Sequence, residues 1–243
     1  YIGSHMTNLL VDKGCKVTVI DNLSSGSTSL INIKKIKFIK SDIGDYNFLN
    51  SYFKNSKIDC VIHFAGSIVV PESVINPIKY YENNTFETLN FLRHCIENKV
   101  KNFIFSSTAA VYGDASKKTI SEKTDTNPQN PYGTSKLFCE KIIEDSSKAY
   151  NFNYGILRYF NVAGADSEGK SGQISKPATH LIKVACETAL GIRKSMSIFG
   201  TDYKTKDGTC IRDYIHVSDL VDIHYETMIS LLKYEKPLKL NCG

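Results

Sequence analysis

The run Asp59-Cys-Val-Ile-His-Phe-Ala-Gly66 is almost continuously apolar, the pattern of a strand covered on both faces rather than on one. A strand of that kind needs a layer on each side, so the rest of the chain must supply two layers. Cys15-Lys-Val-Thr-Val-Ile-Asp21, Ile36-Lys-Phe-Ile-Lys-Ser-Asp42, Asn102-Phe-Ile-Phe-Ser-Ser107 and Tyr154-Gly-Ile-Leu-Arg-Tyr159 are further short β-branched or aromatic runs. Among them the spacing predicts helices over residues 44–56, through Phe48, Leu49, Tyr52 and Phe53, then over about 78–98 and about 132–150. Strands alternating with helices are joined by right-handed crossovers into parallel sheets. The expected fold is therefore α/β, a doubly wound parallel sheet.

In such a sheet, ligands bind at the carboxyl ends of the strands. Those ends are Asp21-Asn22, Asp42-Ile43, Phe64-Ala65-Gly66, Ser106-Ser107-Thr108 and Phe160-Asn161, and a functional site is expected to collect them.

Ahead of the first run, Ile2, Met6, Leu9, Leu10 and Lys13 make one apolar helical stripe with a charged edge, stopped by Gly14. A helix with Gly3 in its first turn, followed about twenty residues on by a strand ending in Asp21, matches the second half of a dinucleotide-binding βαβ unit. The chain then begins inside that motif. The competing reading takes Gly3-Ser4-His5-Met6 for the scar of a cleaved affinity tag.

Composition narrows the function classes. With 243 residues, 42% hydrophobic and 23% charged, the chain can bury a sizeable core. Its net charge of +5 is spread over scattered lysines, which speaks against a nucleic-acid partner and suits an anionic small molecule. Seven cysteines stand apart without a Cys-x-x-Cys pair, and six histidines show no metal spacing. Neither a disulfide framework nor a metal site is expected, and a reducing cytoplasm is the natural location. No apolar stretch reaches the length that spans a bilayer.

The most informative chemistry lies in Asn130-Pro-Tyr132-Gly-Thr-Ser-Lys136. Tyrosine and lysine four apart share a helix face, about 5 to 6 Å apart at Cβ. A phenol with a pKa near 10 is a poor base at neutral pH, and a nearby ammonium favours the phenolate. Upstream, Phe105-Ser-Ser-Thr108 places hydroxyls at a strand end, where Thr108 is best placed to hydrogen-bond a substrate hydroxyl or the phenol.

The ordered motifs Tyr1-Ile-Gly-Ser-His5, Val61-Ile-His-Phe-Ala-Gly66, Tyr80-Tyr-Glu-Asn-Asn84, Val111-Tyr-Gly113, Tyr132-Gly-Thr-Ser-Lys136, Leu157-Arg-Tyr-Phe-Asn161 and Asp207-Gly-Thr-Cys-Ile-Arg-Asp213 run the length of the chain. Together they resemble the extended short-chain dehydrogenase/reductase family acting on nucleotide sugars, in its UDP-glucose 4-epimerase branch, with both ends of the family pattern missing. The resemblance implies a Rossmann-like fold, NAD as cofactor and a UDP-hexose as substrate. It implies Tyr132 as base, Lys136 as its activator and Thr108 as the hydrogen-bonding hydroxyl. Cofactor contacts carried over are Tyr1, Ile2, Gly3, Asp21, Asn22, Asp42, Ile43, Phe64, Ala65, Gly66, Asn83, Ser106, Tyr132, Lys136 and Phe160. Substrate contacts are Thr108, Asn161, His180, Leu181, Phe199 and Arg212. Gly3 would be the last glycine of the fingerprint, bare so that helix, strand and cofactor pack closely. Asp21 would accept from the ribose hydroxyls and repel a 2′-phosphate.

By the same carry-over, residues 1–162 form the cofactor domain without its first strand. Residues 163–243 begin the nucleotide-sugar part, with about 213–232 returning to the cofactor domain. Helices near 78–98 and 132–150 resemble those that pair in family homodimers. Ser67-Ile-Val69 departs from members that carry a lysine there, which puts one cofactor contact in doubt. Two alternatives stand beside epimerisation. A nucleotide-sugar 4,6-dehydratase would need an acid and a base where Ala109-Ala110 stand, and an inactive fragment would lack the central strand.

Overall fold

The computed structural model describes residues 1–114, 119–175 and 179–243, and among them every strand pairing is parallel. In chain order the elements are α1 (Ile2–Asp12), β1 (Thr18–Asp21), β2 (Lys37–Lys40), α2 (Tyr46–Lys54), β3 (Val61–His63), α3 (Val70–Ile75), α4 (Pro77–Tyr80), α5 (Glu87–Glu97) and β4 (Asn102–Thr108). They continue with α6 (Pro131–Tyr150), β5 (Asn153–Tyr159), β6 (Asn161–Ala163), α7 (Leu181–Ala189), β7 (Tyr214–His216), α8 (Val217–Tyr234) and β8 (Leu238–Cys242).

The principal sheet has the order β3-β4-β5-β8, while β1-β2 and β6-β7 form separate pairs. No ladder joins β1 to β3, and residues of both strands line one cleft. The ladder of β3 ends at His63, opposite Phe105, so Phe64-Ala65-Gly66 leave the strand and turn into the cleft.

Both faces of the sheet are covered, as the doubly wound reading requires. Along β4, Phe103 and Phe105 pack into one cluster with Leu49 and Phe53 of α2, Phe91 and Leu92 of α5, and Ile143 of α6. Ile104 points the other way, into a cluster with Leu157, Leu220, Met228 and Leu231, against which Ile2 and Leu10 of α1 pack. This is the period-two alternation of a strand with two buried faces.

Local chemistry sets the helix bounds. Asp45 caps α2, accepting from the Phe48 amide at 3.0 Å. Asn130 caps α6, accepting from the Gly133 amide at 2.8 Å, with Pro131 at the first helical position. α6 ends at Asn151, whose φ of 52° is left-handed. The single helix expected over about 78–98 is three pieces, because a π turn, Tyr81–Phe86, separates α4 from α5. Residues 214–242 supply β7, α8 and β8, of which β8 joins the principal sheet beside β5 and β7 pairs with β6. From Gly191 to Asp213 the chain forms neither helix nor strand.

Candidate active site at the carboxyl ends of the strands

A cleft runs along the carboxyl ends of the strands and between β1 and β3. Its wall includes Tyr1, Ile2 and Gly3 of α1, Asp21 and Asn22 after β1, Ile43 after β2, and Phe64, Ala65 and Gly66 after β3. It continues through Asn83, Ser106, Thr108, Tyr132, Lys136, Phe160 and Asn161, and closes with His180, Leu181, Phe199 and Arg212 on the far side. Of the residues singled out in the sequence, Asp42 alone is not on the wall. It stands one hydrogen bond behind it, accepting from Asn22 Nδ2 at 2.7 Å.

The centre is built by β4 and α6. Thr108 Oγ1 accepts from the Ala110 amide at 3.1 Å and stands near enough to the Tyr132 phenol to favour its ionised form. Burial raises the phenol's pKa above its ordinary value, and the Thr108 hydroxyl acts in the opposite direction. Lys136 is buried beside it, donates to the Ser106 carbonyl at 3.1 Å and lies over the Phe105 ring, 4.9 Å from its centroid. Burial lowers the ammonium's pKa. The spacing predicted an ammonium acting on the phenol to lower its pKa; the phenol is instead raised, because desolvation outweighs every other influence and the ammonium is engaged by the strand.

The first end of the cleft is anionic and tight. Asp21 Oδ1 accepts from the Leu23 amide at 2.6 Å, and Leu23 takes a left-handed φ of 59° to close this turn. A Cβ on Gly26 would come within 3.3 Å of Asp21 Oδ2. A Cβ on Gly3 would meet only the Phe64 ring, at 3.6 Å, an ordinary contact. The close packing expected at Gly3 is therefore not a contact within the protein.

Between the two, the π turn presents Asn83 and Asn84 together. Asn84 Oδ1 accepts from the Ser67 amide at 2.7 Å while its Nδ2 donates to the Ser67 carbonyl at 3.0 Å and to Ser135 Oγ at 3.1 Å. Asn83 donates to Ser67 Oγ at 3.2 Å. This fixes Gly66, where a Cβ would lie 3.2 Å from both Asn84 Oδ1 and Lys136 Nζ.

The far wall is open. Phe199 is 87% exposed, and Leu181 and Arg212 are exposed too. Asn161 is held by donating to the Asp213 carbonyl at 2.7 Å, and His180, at the start of α7, pairs with Gln173 at 2.9 Å. Among the described residues, no group of three or more His, Cys, Asp or Glu comes together as a metal-binding set.

The profile of the NAD dependent epimerase/dehydratase family matches residues 1–243, the whole chain. The chain belongs to that family. It is 49% identical to the UDP-glucose 4-epimerase of Azospirillum brasilense, over all of this chain and 70% of that protein. It superposes on the UDP-glucose 4-epimerase of Brucella ovis in complex with NAD with a TM-score of 0.95, at 42% identity, covering all of this chain and 74% of that one. The Bifidobacterium longum UDP-glucose 4-epimerase in complex with NAD+ and UDP gives a TM-score of 0.91 at 36% identity, over 75% of that chain.

Within this epimerase/dehydratase chain, several residues that shape the site gave no signal of their own in the sequence. Asn84 reads as one more polar residue in a helix, and only the π turn sets it inward. Glu140 and Arg158 are buried polar residues that lie apart in the chain and meet at Ser107, a strand-end residue, through the sheet. The i, i+4, i+8 row of Tyr132, Lys136 and Glu140 on one helix was the signal that could have found Glu140.

Proposed function

We infer that the protein is an NAD-dependent isomerase that interconverts UDP-glucose and UDP-galactose by epimerising C4 of the hexose. The observation that carries this reading is that Thr108 at the end of β4, Tyr132, and Lys136 one helical turn further along α6 share one cleft wall whose other end carries Asp21. Family membership and the relatives' named activity support it.

The donor set fits NAD. The N-terminus of α1 has no acidic residue in its first turn and no side-chain cap, so its amides suit a pyrophosphate. Asp21 and Asn22 suit the adenosine ribose, with Asp42 and Ile43 towards the adenine. Phe64, Ala65, Gly66, Asn83, Ser106 and Phe160 would flank the nicotinamide half. A Cβ on Gly66 would press on Asn84 Oδ1 and Lys136 Nζ at 3.2 Å.

NAD, when bound, would supply reversible hydride acceptance at C4 of the sugar. Tyr132 takes the proton from the 4-hydroxyl and gives it back to the same oxygen once the sugar has presented its other face. Thr108 holds that oxygen and the phenol in line. Lys136 brings positive charge to the same face of α6, which favours the phenolate against the cost of burial. Arg212 suits the diphosphate, since a guanidinium meets it through several bonds at once. Asn161, His180, Leu181 and Phe199 complete the nucleotide-sugar side. Ala109 and Ala110 carry no group that transfers protons, which argues against a 4,6-dehydratase.

The enzyme acts as a homodimer in the cytoplasm, in galactose and wider carbohydrate metabolism. Exposed apolar side chains on adjoining helices support the dimer: Ile75 is 85% exposed, with Ile78, Phe86 and Phe138 beside it in sequence or on α6. Seven free cysteines suit a reducing compartment, and among the described residues no helix is long and apolar enough to cross a membrane. Incubating the NAD-loaded enzyme with UDP-galactose and following the sugar by proton NMR tests the activity. UDP-glucose should accumulate to equilibrium. A 4-keto-6-deoxy sugar would point to dehydration instead.

A further inference from the structure

Glu140 lies two turns beyond Tyr132 and one beyond Lys136 on α6, and all three side chains meet the end of β4. Lys136 donates to the Ser106 carbonyl, Glu140 accepts from Ser107 Oγ at 2.5 Å, and the Thr108 hydroxyl favours ionisation of the Tyr132 phenol. Two successive turns of the helix thus grip two successive residues of the strand, and the turn before them carries Tyr132 to the next strand residue, Thr108. Ser107 is also the register partner of Arg158 on β5. Arg158 closes on the same carboxylate through two bonds, Nε to Oε1 at 3.0 Å and Nη2 to Oε2 at 2.5 Å. Its remaining Nη1 donates to Tyr112 OH at 2.8 Å. Glu140 is 1% exposed and Arg158 2%.

A buried ion pair adds little net stability, because desolvating both charges offsets most of their attraction. What it does supply is position. Apolar contacts are non-directional and let a helix slide, whereas a bidentate pair that slips leaves buried charge unpaired. We propose that Glu140, with Arg158 as counter-ion and Ser107 as the contact on the strand, is a positioning residue that sets the register of α6 on β4 and so aligns Tyr132 with Thr108 for proton transfer. Eight residues of helix, about 12 Å at 1.5 Å per residue, separate Glu140 from Tyr132. A shift of about 1 Å at the reacting group can cost a hundredfold in rate.

The inference rests on the C4-epimerase reading for its kinetic part and not for its spectroscopic part. The test compares Glu140→Leu/Arg158→Met, Ser107→Ala and wild type, all loaded with NAD. The readouts are kcat and KM for UDP-galactose, Tm, bound NAD, and the Tyr132 phenolate titration taken as the difference spectrum against Tyr132→Phe. The double variant removes both charges together, so it should keep Tm within a few degrees and keep its NAD. Its kcat should fall about 10- to 100-fold with KM within about twofold, and the Tyr132 titration should move to higher pH. Ser107→Ala should move the same two readouts in the same direction by less, and it carries the test alone if the double variant does not fold. Wild-type kcat and an unshifted phenol in the variants would overturn the proposal. So would a loss of kcat that merely follows a loss of Tm. A wild type that fails to convert UDP-galactose overturns the epimerase reading, and the phenol titration then decides the positioning role by itself.

Discussion

Lys136 directs its ammonium at the carbonyl oxygen of Ser106, 3.1 Å away, while the phenol four residues earlier feels the Thr108 hydroxyl, which favours its ionised form. The strand therefore bears on both members of the Tyr-Lys pair, each through a different residue. Proton transfer at Tyr132 depends on a helix-to-strand fit and not on the spacing along the helix alone.

Tyr132→Phe removes the proton acceptor and one hydroxyl's volume. Turnover should drop by about 10² to 10⁴, while NAD stays bound, as checked by absorbance and activity of the same purified sample. Near-normal turnover would remove Tyr132 from the role of base.

Lys136→Met removes a positive charge from the face that carries the phenol. Burial already holds that phenol above its ordinary pKa, so losing the charge raises it further. The rise of kcat with pH should move to higher pH. A pH–rate profile whose acidic limb stays in place would show that Lys136 serves only the Ser106 carbonyl.

Asp21→Ala removes both a hydrogen-bond acceptor and a negative charge from the first end of the cleft. NAD affinity should fall about tenfold or more, as for loss of a charge-assisted hydrogen bond. Relative use of NADP should improve. Unchanged preference in a competition titration would confine Asp21 to holding the turn through the Leu23 amide.

Gly66→Ala and Gly3→Val should behave differently. At Gly66 a Cβ presses on Asn84 and Lys136 at 3.2 Å, whereas at Gly3 it meets Phe64 at an ordinary 3.6 Å. Gly66→Ala should lower kcat and Tm together. Gly3→Val should leave Tm unchanged, so that any loss it causes is read in bound NAD alone.

Stability should fall on mild acidification. His224 is buried with its pKa lowered to about 4, and His63 with its pKa lowered to about 3, in both cases chiefly by desolvation. Both are neutral in the folded protein where the unfolded chain, with histidine near 6.5, already binds a proton. Their contribution is therefore whole above about pH 6.5 and is lost as pH falls towards the folded values, by up to about 1.4 kcal/mol per pH unit for each histidine. Urea unfolding of wild type and His224→Gln between pH 7 and pH 4.5 checks this. The variant should show the shallower pH dependence, and equal slopes would contradict the assignment.

Much of this was legible in the sequence, for physical reasons that differ by region. The apolar run at 59–66 and the alternation around Phe103, Ile104 and Phe105 report a two-faced sheet because burial on both faces leaves no polar positions to disguise the pattern. Asp21, Phe64 and Thr108 could be singled out because strand ends converge in a doubly wound sheet, and Tyr132 because a lysine follows it by one helical turn. The π turn at Tyr81–Phe86 was not legible, since it keeps helical residue types and changes only the hydrogen-bond pattern. The direction of the Tyr132 shift was not legible either. Spacing reports which charge is near, and only the packed structure reports how strongly water is excluded. The Glu140–Arg158 pair joins residues whose contact exists only through the pairing of β4 with β5.

The central claim is a hydride that leaves C4 of the sugar and returns to the same carbon on its opposite face, and isotope labelling measures that directly. UDP-glucose carrying deuterium at C4 is given to the NAD-loaded enzyme in ordinary water, and the UDP-galactose formed is examined by NMR and mass spectrometry. The account predicts inverted C4 with the deuterium still attached and no net formation of NADH. Deuterium lost to solvent, or UDP-galactose formed at the same rate by Tyr132→Phe, would contradict it.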